Sequence, residues 1–328
     1  MTVRWGVLGA GWIADRAMLP ALGSAEGASL AAIASRDRRR AGRLAKQHGV
    51  ATVHPSYDDL LADPSLDAVY IALANDAHAP LAIAALEAGK HVLCEKPLAL
   101  SVAEVDAMTA AAAAADRLLV EAAWYRWHPR TRMVERVLRE YDALGPVSYV
   151  RASFTFAGVP EGNYRLDPAH GGGALYDVGC YVVSAALMAF GTPAREVSAK
   201  ATLGPTDVDL AMAVTVTFDG GEADLRCGID EPATQSFVVE GERGELEVRG
   251  EPFTAWEGVE TETWFTTASG RQCERFPAEN AYRVMVEQTS AAIEGRPAWL
   301  VTLPESRAVA AILDAAFESA AAGTPVAL

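Results

Sequence analysis

Strict alternation of short apolar runs with helical patterns over the first 123 residues is the feature that most restricts how this chain can fold. The apolar runs are "VRWGVLG", "SLAAIAS", "DAVYIAL", "HVLCE" and "LLVEAA". In the segments between them, apolar residues recur at spacings of three and four, as in amphipathic helices. Strands and helices that alternate in this way form a parallel sheet with helices on both faces. We therefore predict a parallel α/β domain over residues 1–123.

Residues 124–328 have a different pattern, with longer strand-like runs and fewer helices. Runs such as "LAMAVTVTFDGGEADLRCGID" and "QSFVVEGERGELEVRG" contain "DGGE" and "GERGE", which are typical of hairpin turns. Helical patterns interrupt the strands at 174–190 and 280–294, and another begins at about Pro304. We predict an α+β domain over residues 124–328 that has a large, mostly antiparallel, open-faced β-sheet.

Charge and apolar content exclude two classes of partner. The formal net charge of -15 disfavours nucleic acid, because neutralising phosphates requires a basic face. Apolar runs such as "CYVVSAALMAF" are shorter than the roughly 20 residues that span a bilayer. No charged leader with an apolar segment opens the chain. We expect a cytoplasmic protein that binds neither nucleic acid nor membrane.

The cysteines and histidines lack the spacing of disulfide or metal sites. Cys94, Cys180, Cys227 and Cys273 form no CxxC pair, which indicates a reducing compartment. His54 and His170 have no ligand spacing with other histidines, so we predict no metal.

A glycine turn follows the first predicted strand. Gly9-x-Gly11-x-x-Ala14 lies where the first helix begins. The first glycine permits the tight turn, the second lets a pyrophosphate approach the backbone, and the small third residue allows close packing. The helix N-terminus then offers N–H groups to the phosphates. Residues 1–123 are therefore predicted to be a Rossmann dinucleotide-binding domain.

The tip of the second strand distinguishes the two nicotinamide cofactors. An acidic residue there favours NAD through the ribose 2′-hydroxyl. This chain has Ser35 and Arg36 at the tip and Arg40 one helical turn later, and a guanidinium can bind a 2′-phosphate with two hydrogen bonds. We predict NADP(H) as the cofactor. NAD(H) is the alternative, because Asp37 follows directly.

Three glycines precede a helix that carries two polar side chains on one face. Asp177 and Tyr181 are four residues apart in "GGGALYDVGCY", a spacing that puts them on one face. They can be functional, or Tyr181 can be a core aromatic residue and Asp177 a helix cap. This stretch alone favours neither interpretation.

Four motifs occur together in a characteristic order. They are the glycine turn, "EKP" at 95–97, "EAAWYRWHP" at 121–129 and "NYRLDPAHGGGALYDVGCY" at 163–181. In this order they resemble the Gfo/Idh/MocA family of pyridine-nucleotide oxidoreductases over nearly the whole chain. Asp-x-x-x-Tyr resembles the branch of dimeric dihydrodiol dehydrogenases and NADP-dependent xylose dehydrogenases.

The resemblance implies a set of catalytic roles. Lys96 of the EKP motif would reach the nicotinamide edge and the reacting carbon, and its bond to Pro97 is commonly cis in the family. Tyr181 would be the general acid/base, although tyrosine ordinarily has a pKa of about 10. A neighbouring ammonium and the nicotinamide cation favour the phenolate, so Lys96 would be its electrostatic partner. Asp177 would accept a hydrogen bond from a second substrate hydroxyl.

The remaining predicted contacts follow the same motifs. Trp124, Trp127 and Tyr282 can equally be packing residues without a functional role. Predicted cofactor residues are Gly9, Gly11, Trp12, Ile13, Ser35, Arg36, Arg40, Leu73, Asn75, His78, Glu95 and Lys96. Predicted substrate residues are Trp124, Arg126, Asn163, Arg165, Asp177 and Tyr181. Ala74 stands where a proline is common in the family.

These patterns predict an NADP(H)-dependent oxidoreductase that acts on a monosaccharide, polyol or keto-sugar. The alternatives are a cofactor-retaining glycosidase or epimerase that uses internal redox, and a non-catalytic NAD(P)-binding regulator. In "AMAVTVTF" one face carries Ala213, Thr215 and Thr217, which suits pairing of sheets between subunits. We predict a homodimer or a dimer of dimers through this sheet.

Overall fold

The computed structural model describes residues 2–328 and divides the chain into two compact units. The first unit comprises the chain up to Ala99, Ala103–Trp124 and Asn280–Ser306. The second unit comprises Leu100–Val102, Tyr125–Glu279 and Arg307–Leu328.

The first unit contains a six-stranded sheet in which every neighbouring pair is parallel, in the order β3-β2-β1-β4-β5-β6. This is the order of a Rossmann sheet, so the predicted fold is confirmed. The five predicted apolar runs all form strands, and a three-residue strand, β3, extends one edge. The strands are β1 (Val3–Leu8), β2 (Ala28–Ala34), β3 (Thr52–His54), β4 (Ala68–Ile71), β5 (His91–Glu95) and β6 (Leu119–Ala122).

Helices connect these strands. A π-helical turn, Ala14–Met18, precedes the first α-helix, and a 3₁₀ turn, Asn75–Ala77, precedes the fourth. The helices are α1 (Leu19–Ser24), α2 (Arg38–His48), α3 (Tyr57–Leu61), α4 (His78–Glu87) and α5 (Val102–Ala115).

Residues 280–306 pack with the first unit, although the sequence prediction placed everything after residue 123 in the second domain. This segment contains a helix over Ala281–Ile293. The Met285 and Val286 side chains of this helix are buried. The indole N–H of Trp5 in β1 donates to the Ser290 hydroxyl at 3.1 Å. This apolar face and its buried hydrogen bond hold the segment on the Rossmann unit, and hydrophobic periodicity alone does not show which domain a helix joins.

The second unit contains a nine-stranded sheet in the order β14-β13-β12-β11-β7-β10-β9-β8-β15. Among these neighbours only β7 and β10 run parallel, so the predicted, mostly antiparallel sheet is confirmed. The strands are β7 (Val147–Thr155), β8 (Ala194–Leu203), β9 (Asp209–Phe218), β10 (Gly221–Gly228), β11 (Thr234–Gly241), β12 (Gly244–Arg249), β13 (Thr261–Thr267), β14 (Gly270–Phe276) and β15 (Val326–Ala327).

The later helices include the one that carries the predicted catalytic pair. A π-helical turn, Leu175–Gly179, leads directly into α7. The helices are α6 (Pro129–Arg139), α7 (Cys180–Phe190), α8 (Ala281–Ile293) and α9 (Leu303–Ala322).

One helical stretch within residues 2–328 is long and apolar enough to cross a membrane. It spans Pro168–Phe190, longer than the apolar run considered in the sequence, because helical turns precede α7. However, 89% of its most apolar window is buried inside the protein, as in a core helix.

Strand β9 alternates as predicted between a buried and an open face. Met212, Val214 and Val216 are buried, whereas Ala213 and Thr217 are exposed. The cross-strand partners of Ala213 are Lys200 and Arg226, and those of Thr217 are Glu196 and Glu222. The open face is therefore more charged than the β9 sequence alone indicates.

Candidate active site

The glycine turn in the first unit has one glycine that close backbone contact requires and one that it does not. Gly9 has φ +109°, and a Cβ there would lie 2.2 Å from the carbonyl oxygen of Ala72, so only glycine fits. A Cβ on Gly11 would meet only that same oxygen, at 4.0 Å. Packing within this unit therefore does not require a glycine at position 11. The close approach of a ligand to the backbone would require it.

The tip of β2 is organised around a helix cap. Asp37 accepts the N–H of Arg40 at 2.9 Å and caps α2, and the Asp37 N–H donates to the Ser35 hydroxyl at 3.2 Å. The backbone N–H of Arg40 lowers the pKa of the Asp37 carboxyl. Asp37 thus has a structural role that requires no ribose, and Arg36 and Arg40 stay exposed at the tip.

The EKP motif ends β5, and its glutamate is bonded within the protein. The Glu95 carboxylate accepts the Tyr70 hydroxyl, and it accepts the N–H of Lys96 at 3.2 Å. The Lys96–Pro97 peptide bond is cis, as the resemblance implies. Burial raises the pKa of Glu95, partly offset by the nearby Lys96 ammonium. Glu95 was predicted to bind the cofactor. Its buried carboxylate holds the backbone of Lys96 in place, and the contact with cofactor stays a prediction.

His78 supports the same motif from α4. Its ring is fully buried, with Nδ1 2.9 Å from the carbonyl oxygen of Pro97 and Nε2 3.3 Å from that of Leu73. Burial lowers the pKa of His78, so the ring is neutral and donates to one carbonyl at a time. Asn75, in the turn before α4, is also buried. His78 therefore links this loop to Pro97 from the interior of the unit, and its contact with cofactor stays a prediction.

The remaining predicted residues of the first unit differ in exposure. Trp12 is exposed and Ile13 is partly exposed at the glycine turn, as expected for residues beside a ligand. Trp124 is only 3% exposed and stacks on Tyr282, with ring centroids 4.8 Å apart. For Trp124 the sequence left substrate contact and plain packing open, and the stacking on Tyr282 is compatible with both.

In the second unit, close contacts require the glycines before the helix that carries Asp177 and Tyr181. A Cβ on Gly172 would lie 2.6 Å from the carbonyl oxygen of Arg165. Gly173 has φ +112°, and a Cβ there would lie 2.0 Å from Oδ1 of Asp209. These contacts bring the loop of residues 163–167 and the start of β9 against the beginning of the helix.

Arg165 and Asp177 form an ion pair at this helix start. Arg165 Nε donates to Asp177 Oδ2 at 2.6 Å. Burial alone would lower the pKa of Arg165, but the charges of Asp177, Tyr164 and Tyr181 raise it above its ordinary value. The structure thus brings together three predicted residues: Arg165, Asp177 and Tyr181.

Tyr181 lies among aromatic rings. It is almost fully buried, and its ring centroid lies 5.4 Å from that of Phe154 and 5.5 Å from that of Tyr125. The Phe253 ring is 6.0 Å away. Such packing on several sides restricts the rotation of the Tyr181 ring.

Two other predicted substrate residues have structural partners. Arg126 is buried, and its guanidinium lies 3.4 Å from the carboxylate of Glu135 in α6. The Asn163 side chain accepts the N–H of Arg165 at 3.0 Å and caps the short turn Tyr164–Leu166. Arg126 is therefore part of the packing of α6, and Asn163 shapes the loop that carries Arg165.

Several residues of this arrangement were missed from the sequence. Tyr70 bonds Glu95, Glu121 accepts the N–H of Leu98 at 3.0 Å, and Asp209 bonds the catalytic helix. Glu121 is part of a recognised motif, and Asp209 is an acidic residue at the start of an apolar strand. Tyr70 sits in an ordinary apolar run and gives no signal in the sequence.

The two units carry groups suited to different chemistry. The first unit offers a phosphate-compatible turn, two exposed arginines and a lysine at a strand end. The second unit offers a buried phenol beside a carboxylate–guanidinium pair. The groups of the first unit suit a dinucleotide, and those of the second unit suit a polyhydroxylated molecule and a proton transfer.

Comparison with known proteins gives matches to both units. Residues 3–122 match the oxidoreductase family Gfo/Idh/MocA, NAD-binding Rossmann fold, and residues 132–247 match the Gfo/Idh/MocA C-terminal domain. A D-xylose 1-dehydrogenase (NADP(+)) of Haloferax volcanii is 38% identical over 99% of both chains. A trans-1,2-dihydrobenzene-1,2-diol dehydrogenase of Danio rerio is 34% identical over 80% of each.

A solved structure has the same fold over nearly the whole length. It is the 3-ketoreductase KijD10 of Actinomadura kijaniata in complex with NADP and TDP-benzene. The TM-score is 0.90 at 29% identity, covering 97% of this chain and 98% of that one.

Proposed function

The chain belongs to the Gfo/Idh/MocA family of NAD(P)-dependent oxidoreductases, and on that premise we propose that it transfers a hydride between NADP(H) and a sugar. The reacting carbon is a carbinol or carbonyl carbon of a monosaccharide, polyol or keto-sugar. The resemblance predicted from the motifs is confirmed, including its branch. The observation that carries the proposal is the grouping of Tyr181 with the Arg165–Asp177 pair at a glycine-initiated helix.

The residues of the first unit fit a nicotinamide dinucleotide. Gly11 lacks a side chain where packing within the unit would accept one, and this leaves room for a pyrophosphate at the helix start. Arg36 and Arg40 are exposed at the tip of β2, the end of the strand at which a Rossmann unit distinguishes the two cofactors, and guanidinium groups there suit a 2′-phosphate. Both the D-xylose dehydrogenase relative and the ketoreductase are named with NADP, which supports NADP(H) over NAD(H).

The cofactor supplies or accepts the hydride, and the protein's own residues handle the proton and the orientation. Tyr181 takes the proton from the substrate hydroxyl in oxidation and returns it in reduction. By the family resemblance, the role proposed for Lys96 is that its ammonium favours the phenolate of the general base and donates a hydrogen bond to the substrate oxygen. The Arg165–Asp177 pair binds a second hydroxyl and fixes the face that the sugar presents.

The substrate class follows from this polarity. A buried phenol beside a carboxylate and a guanidinium suits a molecule with several hydroxyl groups, since such groups need partners when they leave water. The D-xylose dehydrogenase relative acts on a compound of this class by name.

The test follows reduced-nicotinamide absorbance with NADP and NAD separately, against aldoses, polyols and dihydrodiols, and NADPH oxidation against keto-sugars. We expect turnover with NADP and at least one sugar. Tyr181→Phe and Lys96→Ala should each lower kcat by about a hundredfold or more. Tyr141→Phe, a change to an exposed tyrosine, is the matched control and should leave kcat unchanged.

Other results would redirect the proposal. Turnover that survives both Tyr181→Phe and Lys96→Ala would contradict the assigned roles. Tightly bound nucleotide without net cofactor turnover would favour a cofactor-retaining glycosidase or epimerase, and nucleotide binding with no chemistry would favour a regulator.

Association through the open face of the nine-stranded sheet completes the proposal. Exposed Ala213 and Thr217 lie among charged residues of both signs on the neighbouring strands, so a two-fold pairing can match opposite charges. We expect light scattering after gel filtration to give a dimer or a dimer of dimers, and Ala213→Asp to shift it towards monomer. A monomeric wild-type protein would contradict this part.

A further inference from the structure

The helix that carries Asp177 and Tyr181 begins without a cap from its own residues. Its N-cap residue is Ala174, which provides no side-chain hydrogen bond. The first turn of a helix leaves N–H groups without partners inside the helix, and a side-chain oxygen usually accepts one of them. At this helix the acceptor comes from a distant part of the chain.

Asp209, the first residue of β9, supplies that acceptor. The Leu175 N–H donates to Asp209 Oδ2 at 2.7 Å, and the Ala174 N–H also hydrogen-bonds the carboxylate. The carboxylate reaches these groups because Gly173 has no Cβ, which would otherwise lie 2.0 Å from Oδ1. Glycine at position 173 and aspartate at position 209 therefore form one structural unit.

The contact holds a charge in an unfavourable place. Asp209 is only 3% exposed, and burying a carboxylate is costly unless hydrogen bonds compensate. Burial raises the pKa of Asp209 to about 6, against the opposing effect of N–H groups that include those of Leu175 and Ala174. A neutral side chain such as asparagine or serine could cap the helix without the cost of burying a charge. An aspartate at this position therefore indicates that the negative charge itself has a role.

We infer that Asp209 is a positioning residue of the reaction, whose ionised carboxylate fixes the first turn of the helix and so the placement of Asp177 and Tyr181. This inference rests on the proposed function. Asp177 lies two residues beyond the bonded N–H of Leu175, and Tyr181 lies one turn further. A shift of the first turn would move the Asp177 end of the Arg165 pair and the phenol together.

Other titratable groups surround this contact. The neighbouring Cys227 of β10 has a pKa well above its ordinary value, because of burial and then the Asp209 charge, so it stays protonated near neutrality. Asp209 also lines a cavity of about 700 Å³ together with Asp207 and, from α9, Asp314. Burial raises the pKa of Asp314 as well. Asp167 and His170 lie in the loop that precedes the glycines.

The test compares Asp209→Asn with Asp207→Asn. Both remove one carboxylate from the lining of the same cavity, but Asp207, two residues before β9, is exposed and does not cap the helix. Its φ of +63° is a conformation that asparagine tolerates. The measurements are amide hydrogen exchange of residues 174–181, the pH profile of kcat, and the KM for NADP, each on the full chain.

For Asp209→Asn at pH 7.5 we expect exchange at Ala174 and Leu175 to be faster by about tenfold, as for the loss of one charge-assisted hydrogen bond. We expect kcat to fall by about tenfold while the KM for NADP stays within about twofold. In the wild type, kcat should fall as the pH drops through about 6. This acid limb should be absent from Asp209→Asn and retained in Asp207→Asn.

Two results would overturn the inference. One is unchanged amide protection in Asp209→Asn. The other is a loss of kcat that only follows the folded fraction and keeps the acid limb. If the wild type converts no sugar with either nucleotide, the proposed function fails, whereas amide protection still decides whether Asp209 fixes this helix.

Discussion

A carboxylate that already receives an arginine N–H has less freedom to turn towards a substrate than an unpaired one. At Asp177, Oδ2 is bonded by Arg165 Nε at 2.6 Å, and the arginine also lies over the Tyr164 ring at 4.9 Å. Asp177 therefore acts as half of a pair. Arg165 fixes the orientation of the Asp177 carboxylate. Arg165 also adds its own N–H groups to the same surface.

We expect Arg165→Gln to raise the KM for the sugar and lower kcat/KM by about 10- to 100-fold, because a positioned polar partner is lost. The KM for NADP should change little. Arg195→Gln is the control, since Arg195 forms an exposed pair with Asp219 and exposed pairs contribute little. Steady-state kinetics of both variants decides this. Equal effects, or no effect of Arg165→Gln, would contradict the role of the pair.

At the scale of secondary-structure elements, the turn between β1 and α1 contains two glycines with different roles. Gly9→Ala would force a side chain against the Ala72 carbonyl at a positive φ, so we expect a destabilised first unit. Gly11→Ala meets nothing closer than 4.0 Å. We expect this variant to keep its thermal midpoint and to bind NADPH at least about tenfold more weakly, because the Cβ occupies the space for pyrophosphate.

Titration of NADPH fluorescence and thermal unfolding separate the two glycine effects. Gly23→Ala, in α1 where a Cβ meets nothing within 4 Å, is the control and should retain binding. Unimpaired NADPH binding by Gly11→Ala would contradict the assignment of this turn to the cofactor.

The elements that could be predicted from sequence are those set by local periodicity. The parallel strands, the two hairpins and the glycine turn follow from patterns within about ten residues, and all are present. The family motifs added the positions of Lys96, Asp177 and Tyr181. Local patterns could not show that α8 joins the first unit. They show that Met285 lies on an apolar helix face, but not against which domain this face packs.

The partners of the predicted residues were harder to predict than the residues themselves. Asp209 lies 34 positions from Leu175, and Tyr70 lies 25 positions from Glu95. Such contacts depend on strand order. Trp124 stacks on Tyr282 and Arg126 pairs with Glu135, and neither partner could be predicted from the motif that contains the two residues.

At the scale of the whole molecule, two buried groups give the stability of the second unit opposite dependences on pH. Burial raises the pKa of Asp209 to about 6 and lowers that of His128 to about 4. The folded state therefore holds a proton on Asp209 that the unfolded chain has lost, and stability falls as the pH rises from about 4 to about 6. His128 is neutral where the unfolded chain is protonated, so its contribution rises over about pH 4 to 6.5.

Asp209→Asn should unmask the contribution of His128. A pKa difference of about two units corresponds to at most about 3 kcal/mol. Between pH 4 and pH 7, the unfolding free energy of Asp209→Asn should therefore rise by up to about 3 kcal/mol more than that of the wild type. Urea unfolding of both proteins at the two pH values measures it, with Asp207→Asn expected to follow the wild type. Parallel curves for Asp209→Asn and the wild type would mean that Asp209 titrates near its ordinary pKa, and its charge would then cap the helix throughout this range.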